Sequence, residues 1–208
     1  MKQKLIFILL LISNIISAQD LIGTPTSLIL VYNYPGNYFY LQLNGQDKKK
    51  TENENVFVID NRLVQVKTLN KTKFIKDTNQ DLSFVDFMNA YINWEKSYIE
   101  ETFSFDTKSK VEFLKTVKGR DIAFWTYDMP LNNNKQKTDS TVTTPSQKQF
   151  FVLTRVKDYL VGINSPLFEN DNFDSIKSYL ISNSDGIVES MTEIDVEALN
   201  RKINKQSK

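Results

Sequence analysis

Two residue types are missing from this 208-residue sequence: it has no histidine and no cysteine. That removes the Ser-His-Asp triad, the Cys-His pair, histidine-based zinc sites and c-type haem attachment. Carboxylate chemistry, Ser-Lys chemistry and oxygen-ligated calcium or magnesium remain. Asp106, Glu112, Asp121 and Asp128 fall in or beside one central pair of strands. A glycosidase holds two carboxyls roughly 5 to 10 Å apart across a cleft, and nothing in the local sequence singles out such a pair. "DTNQD" (Asp77 to Asp81) and "ENDNFD" (Glu169 to Asp174) are rich in oxygen donors. Neither has the glycine and distal glutamate of an EF-hand loop, and helix capping explains the second. "SIK" and "SYLIS" read as helix surface, with no S-x-x-K at a strand-to-helix elbow. The six glycines are scattered, so no phosphate loop is present. The expectation is a protein with no catalytic residues, no metal and no cofactor.

Charge and aromatic residues leave binding as the open chemistry. Net charge is +1 with both signs mixed throughout, so no nucleic-acid partner is expected. "KKK" (Lys48 to Lys50) is the one dense basic cluster, and Glu52 and Glu54 follow it. It reads as part of a solvated polar loop, Asn44 to Asn55, with contact to an anionic surface as the alternative. Tyr32, Tyr34, Tyr38 and Tyr40 surround Pro35-Gly36, and Trp125 and Tyr127 stand on a later strand. These six are the candidate ligand-binding face, since exposed Tyr and Trp stack on sugars and anchor protein partners. Core packing is the favoured alternative for the same rings.

The register of the first hairpin decides between them. With a two- or four-residue loop, Leu28, Leu30, Tyr32, Phe39, Leu41 and Leu43 share one apolar face. With the three-residue loop Pro35-Gly36-Asn37, all four tyrosines line one face instead. The denser apolar face favours the first pairing.

The elements that must position these residues follow from pattern. "TSLILVYNY" and "YFYLQL" form a hairpin; "VFVI" and "LVQVKTL" form a second around "DNR". Ser83 to Glu100 is a helix capped by Ser83, with Val85, Met88, Tyr91, Ile92, Tyr98 and Ile99 as its apolar stripe. Glu95 interrupts that stripe, and Phe84, Phe87 and Trp94 widen it. "KVEFLKTV" and "DIAFWTYDM" form a third hairpin about Gly119, with Ala123, Trp125 and Tyr127 on one face and Ile122, Phe124 and Thr126 on the other. A polar stretch, Pro130 to Lys148, is expected to be a long mobile connection. "KQFFVLTRV" and "YLVGIN" form a fourth hairpin. A second helix follows, capped by Asp171 or Asn172, with Phe173, Ile176, Leu180 and Ile181 inward and Gly186 past its end. After Gly186, "IVESMTEI" suits an edge strand, and Asp195 caps a short helix carrying Val196, Leu199 and Ile203.

The amino-terminal residues set the location. Lys2 and Lys4 precede the apolar run Leu5 to Ser17, and small residues reach Ala18 and Gln19. This is the pattern of a Sec-type signal peptide over residues 1–19. The run is shorter than the ~20 residues of a spanning helix, so no membrane insertion is expected after cleavage. An exported chain without disulfides suits a periplasm or bacterial exterior. The expected organisation is one α+β domain over residues 20–186 and a carboxy-terminal extension over 187–208.

Successive hairpins with two main helices define an α+β fold, an antiparallel β-sheet with helices packed on it. The order resembles the Mog1/PsbP-like α-β-α sandwich family from about Thr26 to Ser184. The resemblance is carried by "YNYPGNY", "FVDFMNAYINW", "FLKTVKGRDIAFWTYD", "QFFVLTRVKDYLVGIN" and "FDSIKSYL". The stretch after Pro130 and the tail after Gly186 depart from the simplest form of that fold. Members of the family include an accessory subunit of photosystem II, a Ran-binding nuclear factor and exported bacterial proteins. The resemblance implies a non-enzymatic binding or assembly module whose partner is a protein or an envelope component. A secreted glycan-acting hydrolase using a carboxylate pair, and a carrier of glycans or hydrophobic ligands, are the alternatives.

Overall fold

The computed structural model describes residues 20–103, 107–129 and 148–206. Residues 1–19, where the sequence pattern suggests a signal peptide, Asp106 and the polar stretch 130–147 lie outside them. The described chain begins with strands β1 (Asp20–Gly23), β2 (Ser27–Tyr34), β3 (Asn37–Asn44), β4 (Lys48–Lys50), β5 (Val56–Ile59) and β6 (Arg62–Asn70). Helix α1 (Phe84–Phe103) follows, then β7 (Ser109–Lys115), β8 (Asp121–Asp128), β9 (Lys148–Val156) and β10 (Tyr159–Leu167). Helix α2 (Phe173–Ser184), β11 (Ile187–Ser190) and helix α3 (Val196–Gln206) complete it. The four hairpins read from the sequence pair as β2–β3, β5–β6, β7–β8 and β9–β10.

The strands separate into two antiparallel sheets, ordered β1-β2-β3-β11 and β4-β5-β6-β10-β9-β8-β7. The period of two in each strand gives each sheet two apolar faces to cover. The large sheet covers one face with α1 and turns the other toward the small sheet and α2. In that middle layer Leu30, Tyr32, Phe39 and Leu41 pack against Val64, Phe150, Val161 and Ile163, with Ile176 and Leu180 of α2 beside them. The outer face of the small sheet, Ile22, Ile29 and Val31, is covered by Val196, Leu199 and Ile203 of α3.

Local signals place these elements. Pro35 and Gly36 close β2 onto β3 as a two-residue loop, with Tyr34 opposite Asn37 and Gly36 at φ +74°. A fixed φ followed by a positive one is what a type II turn requires. Asp60 and Asn61, both at positive φ, turn β5 into β6. Asn172, and not Asp171, caps α2: its Oδ1 accepts from the Ser175 amide at 2.8 Å. Asp195 caps α3 by accepting from the Ala198 amide at 2.9 Å.

Several expectations are corrected. Lys48–Lys50 is a short strand paired with β5, because its backbone finds a ladder and Lys48 Nζ donates to the carbonyls of Pro25, Gly45 and Gln46. β1, unassigned in the sequence, pairs with β2. The buried stripe of α1 is Phe87, Met88, Tyr91, Ile92, Glu95 and Ile99, leaving Val85 and Tyr98 exposed. Glu95 belongs to the stripe because a cation waits for it on the sheet. Phe173 is half exposed, its ring meeting Phe150 edge-on at 4.9 Å. The edge strand expected beyond Gly186 is borne out: β11 pairs with β3 at the border of the small sheet.

Candidate functional site

The six candidate aromatic residues do not form one face. The two-residue loop puts Tyr32 opposite Phe39, stacked at 4.8 Å, and buries Tyr32 and Tyr34 between the sheets. The Tyr34 hydroxyl lies 3.1 Å from Thr68 Oγ1 on the large sheet. Burial pushes the Tyr34 phenol up to about 12 despite that hydrogen bond. Tyr38 and Tyr40 turn to the opposite face and are half-buried, Tyr40 against the α3 cluster. Trp125 and Tyr127 lie beneath α1, packed with Phe151 at 4.9 and 5.7 Å. Four of the six are therefore core residues, out of reach of a ligand stacking on the surface.

Under α1 lies a buried ion pair. Glu95 Oε2 accepts from Lys67 Nζ at 2.7 Å, and the side chains are 5% and 7% exposed. The ammonium also sits 5.3 Å from the Tyr91 ring centre and 5.9 Å from that of Trp94. Nearby on the same sheet face, Asn164 Nδ2 donates to Gln65 Oε1 at 3.2 Å. Among the described residues, the Tyr91 hydroxyl and Trp125 Nε1 are buried without a hydrogen-bond partner. Burial foremost, then the Glu95 carboxylate, pushes the Tyr91 and Tyr127 phenols well above their ordinary range. The sequence signal for this pair was faint: one lysine inside "LVQVKTL" and one glutamate inside an apolar stripe.

The carboxylates proposed for hydrolysis are dispersed and half exposed. Glu112 pairs with Lys177 at 2.6 Å, Asp121 with Lys115 at 2.5 Å, and Asp128 with Lys148. Asp106 lies outside the described residues. Among the described residues no three Asp, Glu, His or Cys side chains gather as a metal site would require.

An open groove of about 840 Å³ runs between the β7–β8 turn, the β9–β10 turn, β11 and the start of α1. It was not anticipated, because its walls come from four distant segments. Its cations are engaged internally. Arg120 donates to Ile187 O at 2.8 Å and meets Glu189 at 3.4 Å; Lys118 Nζ donates to Asp185 O at 3.2 Å. Arg155 donates to Leu82 O at 2.8 Å, and Lys157 to Gly36 O at 2.9 Å. The Arg120 and Lys157 bonds tie the large sheet to the small one at this end, leaving the groove a seam.

The remaining candidate surface is the outer edge of the large sheet. At the ends of the β7–β8 ladder, Asp128 N donates to Lys108 O and Thr116 N to Arg120 O. Alternation then points the amides and carbonyls of residues 110, 112 and 114 toward β8, and those of Ser109, Val111, Phe113 and Lys115 outward. No described strand lies on that side. Val111 and Phe113 are 38% and 39% exposed, and Phe84 meets Phe113 edge-on at 6.3 Å. The opposite edge is the three-residue β4, all lysine, a short charged edge of the kind that discourages pairing.

These elements define an α+β protein of antiparallel sheets with helices on their faces. No family model and no curated protein matches the chain. Its structure is similar to the solution structure of cyanobacterial PsbP (CyanoP) from Synechocystis sp. PCC 6803, with a TM-score of 0.48 and 11% identity, covering 81% of this chain and 95% of that one. That protein falls in the family whose pattern the sequence resembles.

Proposed function

We propose that this chain is an exported, non-enzymatic binding or assembly module, periplasmic or secreted, that engages a protein or envelope component. The observation that carries the reading is the edge of β7 that no described strand pairs with, seven residues long, with outward amides and carbonyls and two exposed apolar side chains. Such an edge is a ready template for a partner's strand, with main-chain hydrogen bonds giving affinity and alternate side chains giving specificity. The dispersed, lysine-paired carboxylates favour binding over hydrolysis. Export is supported by the basic and apolar residues that precede Gln19. No described helix is long and apolar enough to cross a membrane.

The test is photo-crosslinking in cells from a reactive amino acid at position 113, with Val111→Pro as the control. The Val111 amide points outward, so proline there removes no bond to β8. Crosslinks to a protein, a second copy of this chain included, or to an envelope component, that disappear in the control are the expected result. A chain that stays in the cytoplasm with its leader intact, or one that crosslinks equally with and without the proline, overturns the proposal.

A further inference from the structure

We infer that the β7 edge pairs with the β7 edge of a second copy, antiparallel and centred on Val111, fusing two large sheets into one. The inference rests on the reading of that edge as a binding surface and names its partner. A two-fold axis perpendicular to the sheet keeps corresponding faces together, so residues opposite each other must have the same outward or inward sense. Residues 109, 111, 113 and 115 turn their backbone polar groups outward, so the bonded pairs must be drawn from them.

Charge selects among the registers that remain. Centring on Val111 places Ser109 opposite Phe113 and Lys110 opposite Glu112, each twice by symmetry. Centring on Glu112 places that carboxylate opposite its own copy, and centring on Lys110 does the same for the ammonium. Centring on Phe113 sets Glu112 against Leu114. The Val111 register alone converts both charges into cross-strand ion pairs, and it sets a small residue against each large ring. Opposite charges facing across a pair stabilise it, and like charges destabilise it. Glu112 retains a half-exposed side chain although Lys177 bonds its Oε2, and Lys110 is exposed. The contrast with β4 is informative: a lysine-only edge repels its own copy, whereas the alternating signs on β7 attract it.

The absence of native cysteine makes the test clean. Lys110→Cys and Glu112→Cys are prepared separately in the chain purified after export. Opposite positions of a non-hydrogen-bonded pair lie about 4.5 Å apart between Cα atoms. The mixture of the two variants should therefore oxidise to a disulfide dimer several-fold faster than either alone. Fastest crosslinking by Glu112→Cys alone overturns the register. In sedimentation, the unmodified chain should have twice the monomer mass. Lys110→Glu and Glu112→Lys should each weaken association by roughly tenfold, and the double exchange should restore it. A dimer indifferent to these exchanges and to Val111→Pro overturns the inference. A monomer whose envelope crosslinks are still lost in Val111→Pro overturns self-pairing while the binding-edge reading stands. A monomer whose crosslinks ignore Val111→Pro overturns both.

Discussion

Replacing Glu95 by leucine should unfold much of this protein's margin of stability. The substitution puts an apolar residue into the α1 stripe but leaves Lys67, 7% exposed, without its counter-charge. Removing one partner of a buried pair costs about 3 to 5 kcal/mol, because the other charge stays desolvated and unpaired. The Tyr91 and Trp94 faces near the ammonium offset only part of that, since each cation–π contact is worth about 0.5 to 2 kcal/mol and exists already in the parent. For a chain of this size the loss corresponds to a melting temperature lower by roughly 10 °C. Urea unfolding followed by tryptophan fluorescence measures it, because Trp94 and Trp125 lie in the same layer as the pair. The second arm is Lys67→Met together with Glu95→Leu. Removing both charges should return stability to at least the parent value, since well-packed apolar residues replace a buried pair at little or no cost. A single-variant loss under about 1 kcal/mol would refute the argument. So would a double variant as unstable as Glu95→Leu alone.

Four further outcomes are expected. Tyr34→Phe removes the hydroxyl that meets Thr68 between the sheets and should cost about 1 kcal/mol in urea unfolding. Burial pushes the Tyr34 and Tyr179 phenols from 10.0 to about 12, so the folded state keeps protons that the unfolded chain has shed. Their contribution is full below pH 10 and lost as pH rises through about 12, which tyrosinate absorbance and the urea midpoint should register together; a midpoint flat across that window contradicts it. Gly186→Ala puts a methyl 2.2 Å from the Gln42 carbonyl oxygen, against backbone that cannot step aside, and should cost roughly 3 kcal/mol by prising β11 from β3. Leu199→Asp should lift α3 from Ile29 and Val31 and raise binding of an apolar dye, with the far-ultraviolet spectrum otherwise kept.

The hairpins were legible because their signals are local. "YNYPGNYFY" contains both its turn and its apolar alternation, and the denser apolar face selected the pairing observed, Tyr32 opposite Phe39. The same register dissolved the aromatic face, since it sends Tyr32 and Tyr34 inward and Tyr38 and Tyr40 the other way. What escaped the sequence was long-range. β1 is four residues long and gains its structure from its partner on β2, and the edge strand β11, legible as a strand, owes its place to the distant β3. β4 is lysine throughout, a composition that describes an exposed edge as well as it describes a loop. Glu95 looked like a fault in the α1 stripe because the residue that neutralises it is on β6. The β7 edge was visible as a strand, but that no described strand pairs with its outer side depends on the order of the whole sheet.

The small sheet takes three strands from residues 20–44 and its fourth from residues 187–190. The helix that covers its outer face arrives later still, at Val196–Gln206. The hairpin made first is thus the one completed last. While the chain emerges in order, Ile29 and Val31 wait uncovered until residues 196–206 have been made, as an adhesive surface in search of a cover. A holding factor, or passage through a translocation channel as an unfolded thread, would shelter them until α3 is available. The same closure brings the strands from the two ends of the described chain into one sheet. Rejoining those ends and opening the chain at an exposed turn such as Lys118-Gly119 should leave the fold intact while shortening that wait.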